Sequence, residues 1–224
     1  MENKMQSLAT IVKEMGITPQ EVVQYWTQKG MLSNAFSTEL QNVDIRTKAN
    51  LYWYFFANGE FSDNAKAYKG CLGVVGWINP DKNALDGDKI YIVLRKQACR
   101  VFSLADSEIK ANDQYDGFNN TQLILNLSQE QKISFPAVVY CNDMFQLSNG
   151  KRAFLPAKEQ AIRLAKNGHG IRKALAEIGG NFDGWIWTTS MLVPNNIWVV
   201  HTQHAETDVR NRAAKTNTTA IIAL

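Results

Sequence analysis

The sequence predicts an α+β fold: a domain of mixed antiparallel sheets with two helices, preceded by a small helical segment. Three observations carry this reading. Gly184-Trp185-Ile186-Trp187-Thr188-Thr189-Ser190, a turn at Pro194-Asn195-Asn196, and Ile197-Trp198-Val199-Val200 form two aromatic and β-branched runs split by turn residues, the pattern of neighbouring strands. Ala157, Ala161, Leu164 and Ala165, and then Ile171, Ala174, Leu175 and Ile178, each fall on one helical face. Leu51 to Phe56 is a strongly aromatic strand that runs into Asn58-Gly59, a two-residue hairpin turn.

The elements follow in chain order. Leu8, Ile11, Val12 and Met15 have helical spacing, and Gly16 stops that helix. Thr18, Pro19 and Glu21 start the next, which carries Val22, Val23 and Trp26 and ends at Lys29-Gly30. Residues 33–50 are polar and read as a connector. Beyond the aromatic hairpin come Cys71 to Asn79, a Val- and Gly-rich strand, and Lys89 to Leu94, another strand. Residues 103–133 show no strong period, and Asn112 to Asn120 is expected to be an exposed loop. Phe135 to Phe145 fits a short helix or an extended piece. Pro156 opens one helix, which Gly168 closes, and Gly179-Gly180 closes the next. Asn211 to Asn217 reads as a polar loop and Thr218 to Leu224 as a last strand.

The Trp block is the centre of the domain. It holds three of the six tryptophans, and aromatics this dense bury large apolar areas. Thr188, Thr189 and Ser190 are not core-like and imply that one face or end of these strands is left polar for a ligand.

Composition narrows the function classes. Hydrophobic residues make up 45% of the 224, as in globular proteins, and 24 Lys+Arg against 21 Asp+Glu leave a net charge of +3. That charge is too small and dispersed to argue for nucleic acid. No run approaches the ~18 apolar residues of a membrane span. Met1-Glu2-Asn3-Lys4 leads into no signal-peptide apolar region, so synthesis and residence in a cytoplasm are expected. Cys71, Cys99 and Cys141 are three, far apart and without CxxC spacing, which argues for buried reduced thiols.

Ile11 to Gly30 resembles the helix-turn-helix of DNA-binding proteins. Its exposed positions, Gln20, Gln24, Gln28 and Lys29, carry one positive charge, whereas recognition helices bring phosphate-binding cations. A helical hairpin for packing or assembly is the preferred reading.

Several blocks in order resemble a C-type-lectin-like domain family, related in fold to the formylglycine-generating enzyme and found in bacterial surface lipoproteins and phage fibre proteins. They are Gly73-Val74-Val75-Gly76-Trp77-Ile78-Asn79-Pro80; Ala137 to Cys141 with Asn149-Gly150-Lys151 and Phe154-Leu155-Pro156-Ala157-Lys158-Glu159; Gly179-Gly180 with Trp185 to Ser190; and Ile197-Trp198-Val199-Val200 with Lys215 and the terminal strand. The resemblance covers roughly residues 52–224. Phe154 stands where the family has Arg, and the family's C-terminal Arg-Pro is missing. The resemblance implies a lectin-like fold whose first and last strands pair, with Val74 and Val75 opposite the Ile221–Ile222 region. It also implies a ligand site on long loops between the central strands.

Those loops are Ser190 to Asn196 and Gln203 to Asn217. They offer Asn195, Asn196, His201, Gln203, His204, Asp208, Arg210, Asn211 and Arg212 beside Trp185, Trp187 and Trp198, a set suited to polar ligands with apolar faces such as glycans. His201 and His204, with Glu206 and Asp208, have the makings of a metal cluster, but positions three apart on a strand face opposite ways. Asp81, Asp86 and Asp88 read as turn formers, with no EF-hand spacing. No P-loop, GxSxG or HExxH is present, so no catalytic residue, cofactor or metal is assigned.

The domains expected are a helical assembly or anchoring segment at 1–32, a connector and β-hairpin at 33–66, and the lectin-like domain at 67–224. The expected function is non-catalytic: a phage virion fibre or surface-decorating subunit, made in the host cytoplasm and carried out on the particle. A homo-oligomer, trimer favoured, is expected, joined to other virion proteins through the N-terminal segment, with a host-surface glycan as ligand and nucleic acid unlikely. An intracellular DNA-binding regulator with a lectin-like sensor is the alternative, and a formylglycine-generating-type enzyme is the next.

Overall fold

The computed structural model describes residues 44–81, 88–104, 109–147, 150–193 and 195–224. The helices expected over 1–32, with the helix-turn-helix likeness, lie outside the described residues. The chain divides into two compact units, 1–47 and 48–224. Of the first, the description covers a 3-10 turn, Ile45–Thr47, where the Asp44 carboxylate accepts from the Arg46 amide at 3.0 Å and from its guanidinium.

Among the described residues the second unit holds one eight-stranded sheet and four α-helices, an α+β fold. The strands are β1 Tyr54–Phe56, β2 Phe61–Ser62, β3 Cys71–Ile78, β4 Ile90–Val101, β5 Trp185–Val193, β6 Asn196–His201, β7 Thr207–Asn211 and β8 Lys215–Ala223. The helices are α1 Gly117–Gln131, α2 Pro136–Met144, α3 Lys158–Ala165 and α4 Gly168–Glu177. The sheet order is β2-β1-β3-β4-β8-β5-β6-β7. The aromatic hairpin forms, but through a longer turn than the two-residue one expected: Ala57 to Gly59 bridge it, Gly59 has φ +84°, its amide donates to the Phe56 carbonyl at 2.9 Å, and the Phe56 amide donates to the Glu60 carbonyl at 3.1 Å.

The last strand is central, not peripheral. β8 lies antiparallel to β4, with Ile222 opposite Ile92 and Ile221 opposite Val93. β3 sits one strand further out, with Val74 opposite Val93. The expected pairing of Val74 and Val75 with the Ile221–Ile222 region is therefore corrected: β4 intervenes. Its first five residues, Ile90 to Leu94, are all buried, and only an interior strand keeps so continuous an apolar run. Beyond β8 the sheet splays. β5 runs parallel to it and meets it at Ile186 and Asn217. Further along, residues 153–156 fill the gap. Phe154 exchanges both backbone bonds with Ile221 (2.9 and 3.0 Å), and the Thr189 amide donates to the Pro156 carbonyl at 2.9 Å.

Alternation along the strands divides the core between two faces. Val74, Val93, Ile221, Ile186 and Val200 pack with Leu164 of α3 and with Ile171 and Leu175 of α4. Trp187, one residue on from Ile186, faces the other way and meets Phe102 edge-on at 5.8 Å. Phe102 in turn meets Phe135 at 6.1 Å. Each such side chain taken fully from water contributes about 1.5–3 kcal/mol.

Helix α1 corrects the sequence reading of residues 103–133. Asn112 to Asn120 is not simply an exposed loop: it runs into the first turn of a 15-residue helix capped by Asp116, whose carboxylate accepts from the Asn119 amide at 2.9 Å. Gly168 begins α4 rather than ending α3. The supposed loops of the hairpin region are mostly strand: β5 reaches Val193 and β8 begins at Lys215.

Candidate functional site

The polar run after Trp187 is not a ligand surface. Thr188, Thr189 and Ser190 are each fully buried, and each is satisfied inside the protein. Thr188 Oγ1 donates to the Trp198 carbonyl at 2.8 Å. Ser190 Oγ donates to the Asp113 carbonyl at 3.0 Å and accepts from the Lys158 amide at 3.0 Å. Asn120, also buried, donates to the Thr189 hydroxyl and to the Asp113 carbonyl, and its Oδ1 accepts from the Asp113 amide. The expectation of a polar end left open is corrected. Buried polar groups require partners, and the splayed sheet supplies them by admitting irregular chain against β5.

The nine residues named from the hairpin region separate into groups. Asn195 and Asn196 lie at one end of β6. Asn211, opposite Asn196, and Arg212, whose amide donates to the Asn195 carbonyl, close the same end. Arg212 is buried, at 3% exposure. His201, Gln203 and His204 lie at the far end, roughly 16 Å away at ~3.3 Å per strand residue. Asp208 and Arg210 are on β7 between them. The two imidazoles do meet, stacked at 4.8 Å, because the chain leaves the strand at His201 and turns back. Opposite-face geometry therefore does not apply to them. Trp185 touches His201 edge-on at 5.1 Å and lies under the Arg210 guanidinium at 5.6 Å. Trp187 is wholly buried and out of reach of any ligand, and Lys158 Nζ covers Trp198 at 3.9 Å. Among the described residues no group of three or more His, Cys, Asp or Glu is placed to hold a metal ion.

The three thiols are free. Cys141 is buried as expected and burial holds its thiol well above the usual range; Cys71 is half-buried and raised by burial; Cys99 is exposed, against the expectation.

A concave feature lies elsewhere among the described residues: a cleft of about 440 Å³ where β3 ends, β4 begins and β8 ends. Asn79, Asp88 and Tyr91 line it, Tyr115, the cap residue Asp116 and Phe118 come from the start of α1, Lys151, Arg152 and Phe154 from the segment between α2 and α3, and Ala223 from the end of β8. Arg163 reaches in from α3, donating to the Tyr91 hydroxyl at 3.2 Å with its guanidinium 5.0 Å above the Trp77 ring. Trp77 and Tyr91 stack at 4.6 Å. Gln160 fixes the walls: its Oε1 accepts from the Gly117 and Ala157 amides, and its Nε2 donates to Asp88 Oδ2 at 3.0 Å. Burial, then the negative charge of Asp88, pushes the Tyr91 hydroxyl up to about 12, so it stays protonated. Tyr115 and Phe118 remain 63% and 38% exposed at the rim. None of the nine hairpin residues lines this cleft. Its parts come from six stretches of chain, and no local motif announces them.

No family model matches the chain, and no curated protein matches it. Among solved structures, a fimbrial protein from Bacteroides ovatus is similar in fold, with a TM-score of 0.63 at 13% identity. The match covers 79% of this chain and 49% of that one, so the chain aligns with about half the length of that protein. Among the described residues no helix is long and apolar enough to cross a membrane.

Proposed function

We propose that the protein is a non-catalytic structural and binding subunit displayed on a surface assembly, with a lectin-like module over residues 48–224 that holds its ligand in the cleft around Tyr91 and Arg163. The cleft carries this reading. Aromatic faces at the rim, with amide, carboxylate and guanidinium groups converging on a buried tyrosine, suit a hydroxyl-rich ligand with an apolar face, such as a glycan. The likeness in fold to a fimbrial protein supports the surface setting. A virion fibre or decorating subunit, assembled as a homotrimer through residues 1–32, is the form of that setting we favour.

The test is retention of the full chain on an array of immobilised glycans, with Tyr115→Ala as control. Retention on a defined subset, lost in the variant, is expected. No retention on any glycan overturns the binding reading.

A further inference from the structure

Resting on the cleft reading, we infer that the ligand is an acidic sugar: a hexose ring bearing a carboxylate. The charges of the lining point to it. Among the described residues Arg152 and Arg163 pair with no carboxylate. Arg163 is instead held by a neutral phenol and an indole face, which orient its fork without neutralising it. Such a guanidinium is a built receptor for a carboxylate, which it meets with two parallel hydrogen bonds.

The cleft also contains two carboxylates, and they are engaged differently. Asp88 accepts from the Gln160 amide, and Asp116 accepts from the Asn119 amide and side chain. Both keep acceptor capacity for hydroxyl donors, since an ionised carboxylate offers about four lone-pair sites. A ligand matching the whole lining therefore presents an anion to the arginines and hydroxyls to the aspartates. It also presents a C–H face to the exposed rings of Tyr115 and Phe118. An acidic sugar has all three. A neutral sugar leaves the arginines unanswered, and a simple anion leaves the aspartates repelling it. The volume, about 440 Å³, suits one or two rings.

The experiment titrates the full chain with methyl β-glucuronide and with methyl β-glucoside, which differ in carrying a carboxylate or a hydroxymethyl group. The readout is the Trp77 indole N–H signal in NMR, assigned with Trp77→Phe. The glucuronide is expected to bind at least about tenfold more tightly through one bidentate charge-assisted contact, a difference of about 1.4 kcal/mol. Arg163→Gln should abolish the difference, so that within the variant the glucuronide binds no more tightly than the glucoside. Arg152→Gln, at an exposed position where folding is not at stake, should reduce it. Equal binding of both sugars, lost together in Tyr115→Ala, overturns the inference and leaves the cleft reading standing. No response to either at roughly 10 mM, where even a weak site is filled, overturns both.

Discussion

The indole nitrogen of Trp187 donates to the carbonyl oxygen of Arg100 at 2.8 Å. The two residues belong to β5 and β4, strands that are not neighbours, because β8 lies between them. One side chain thus ties together the strands on either side of the central one. Trp187→Phe keeps an aromatic ring against Phe102 but leaves a cavity and an unanswered carbonyl. A loss of about 2 kcal/mol is expected from urea unfolding of the described unit's transition. A loss below about 0.5 kcal/mol would show that the bond contributes nothing net.

The buried network around Asn120 should be as costly to break. Asn120→Ala removes both bonds to the Asp113 backbone and the donor to Thr189, for an expected loss of about 2–4 kcal/mol. Leu123→Ala, on the same helix but 53% exposed, is expected to stay within about 0.5 kcal/mol of the parent. The ranking inverts what hydrophobicity alone predicts, and equal effects would refute it.

Alkali should weaken the fold through two tyrosines. Burial first, and then the Glu177 carboxylate that accepts from its hydroxyl at 2.7 Å, pushes Tyr54 up to about 12, and Tyr91 reaches about 12 by burial and the charge of Asp88. Tyrosines of the unfolded chain ionise near 10. Between pH 10 and 12 the folded state therefore holds more protons than the unfolded one, and stability falls as pH rises through that window. Below pH 10 this contribution is complete. Urea midpoints measured from pH 8 to 12 should be flat and then decline, and Tyr54→Phe should shallow the decline. An unchanged slope in that variant would remove Tyr54 from the account.

Removing residues 218–224 should abolish folding of the 48–224 unit. The truncation deletes most of β8 and, with it, the bonds to β4, to Phe154 and to Ile90. Loss of several buried aliphatic side chains at about 1.5–3 kcal/mol each exceeds the stability of an ordinary domain. A cooperative thermal transition at the parent temperature would contradict the topology itself.

Much of the fold was legible because periodicity reports burial. The Cys71 to Asn79 strand, the two helices on either side of Gly168 and the Trp185–Val200 hairpin all carry their pattern in neighbouring residues. Helix α1 was not legible in this way: it spends two of its buried positions on Asn120 and Thr121 and exposes Phe118 and Leu123, so its apolar period is blurred. Its one local signal was Asp116 as a cap. Ser190 misled for the same reason. A residue's polarity tells whether it needs a partner, and only the splay between β8 and β5 shows that the partner is internal. The cleft was invisible because Tyr91 on β4, Tyr115 before α1 and Arg163 on α3 are brought together only by the packing of helices on the sheet.

That order has a consequence on the ribosome. The chain makes β1 through β4 early and β5 through β7 late, and the strand that joins them is made last. From the completion of β4 to the emergence of β8, about a hundred residues are added, on the order of ten seconds of synthesis. Throughout that interval the nascent chain carries an open apolar border at Ile90 to Leu94, with no strand yet made to cover it. Production of this protein should therefore respond to translation speed and to chaperone supply more than its finished stability suggests.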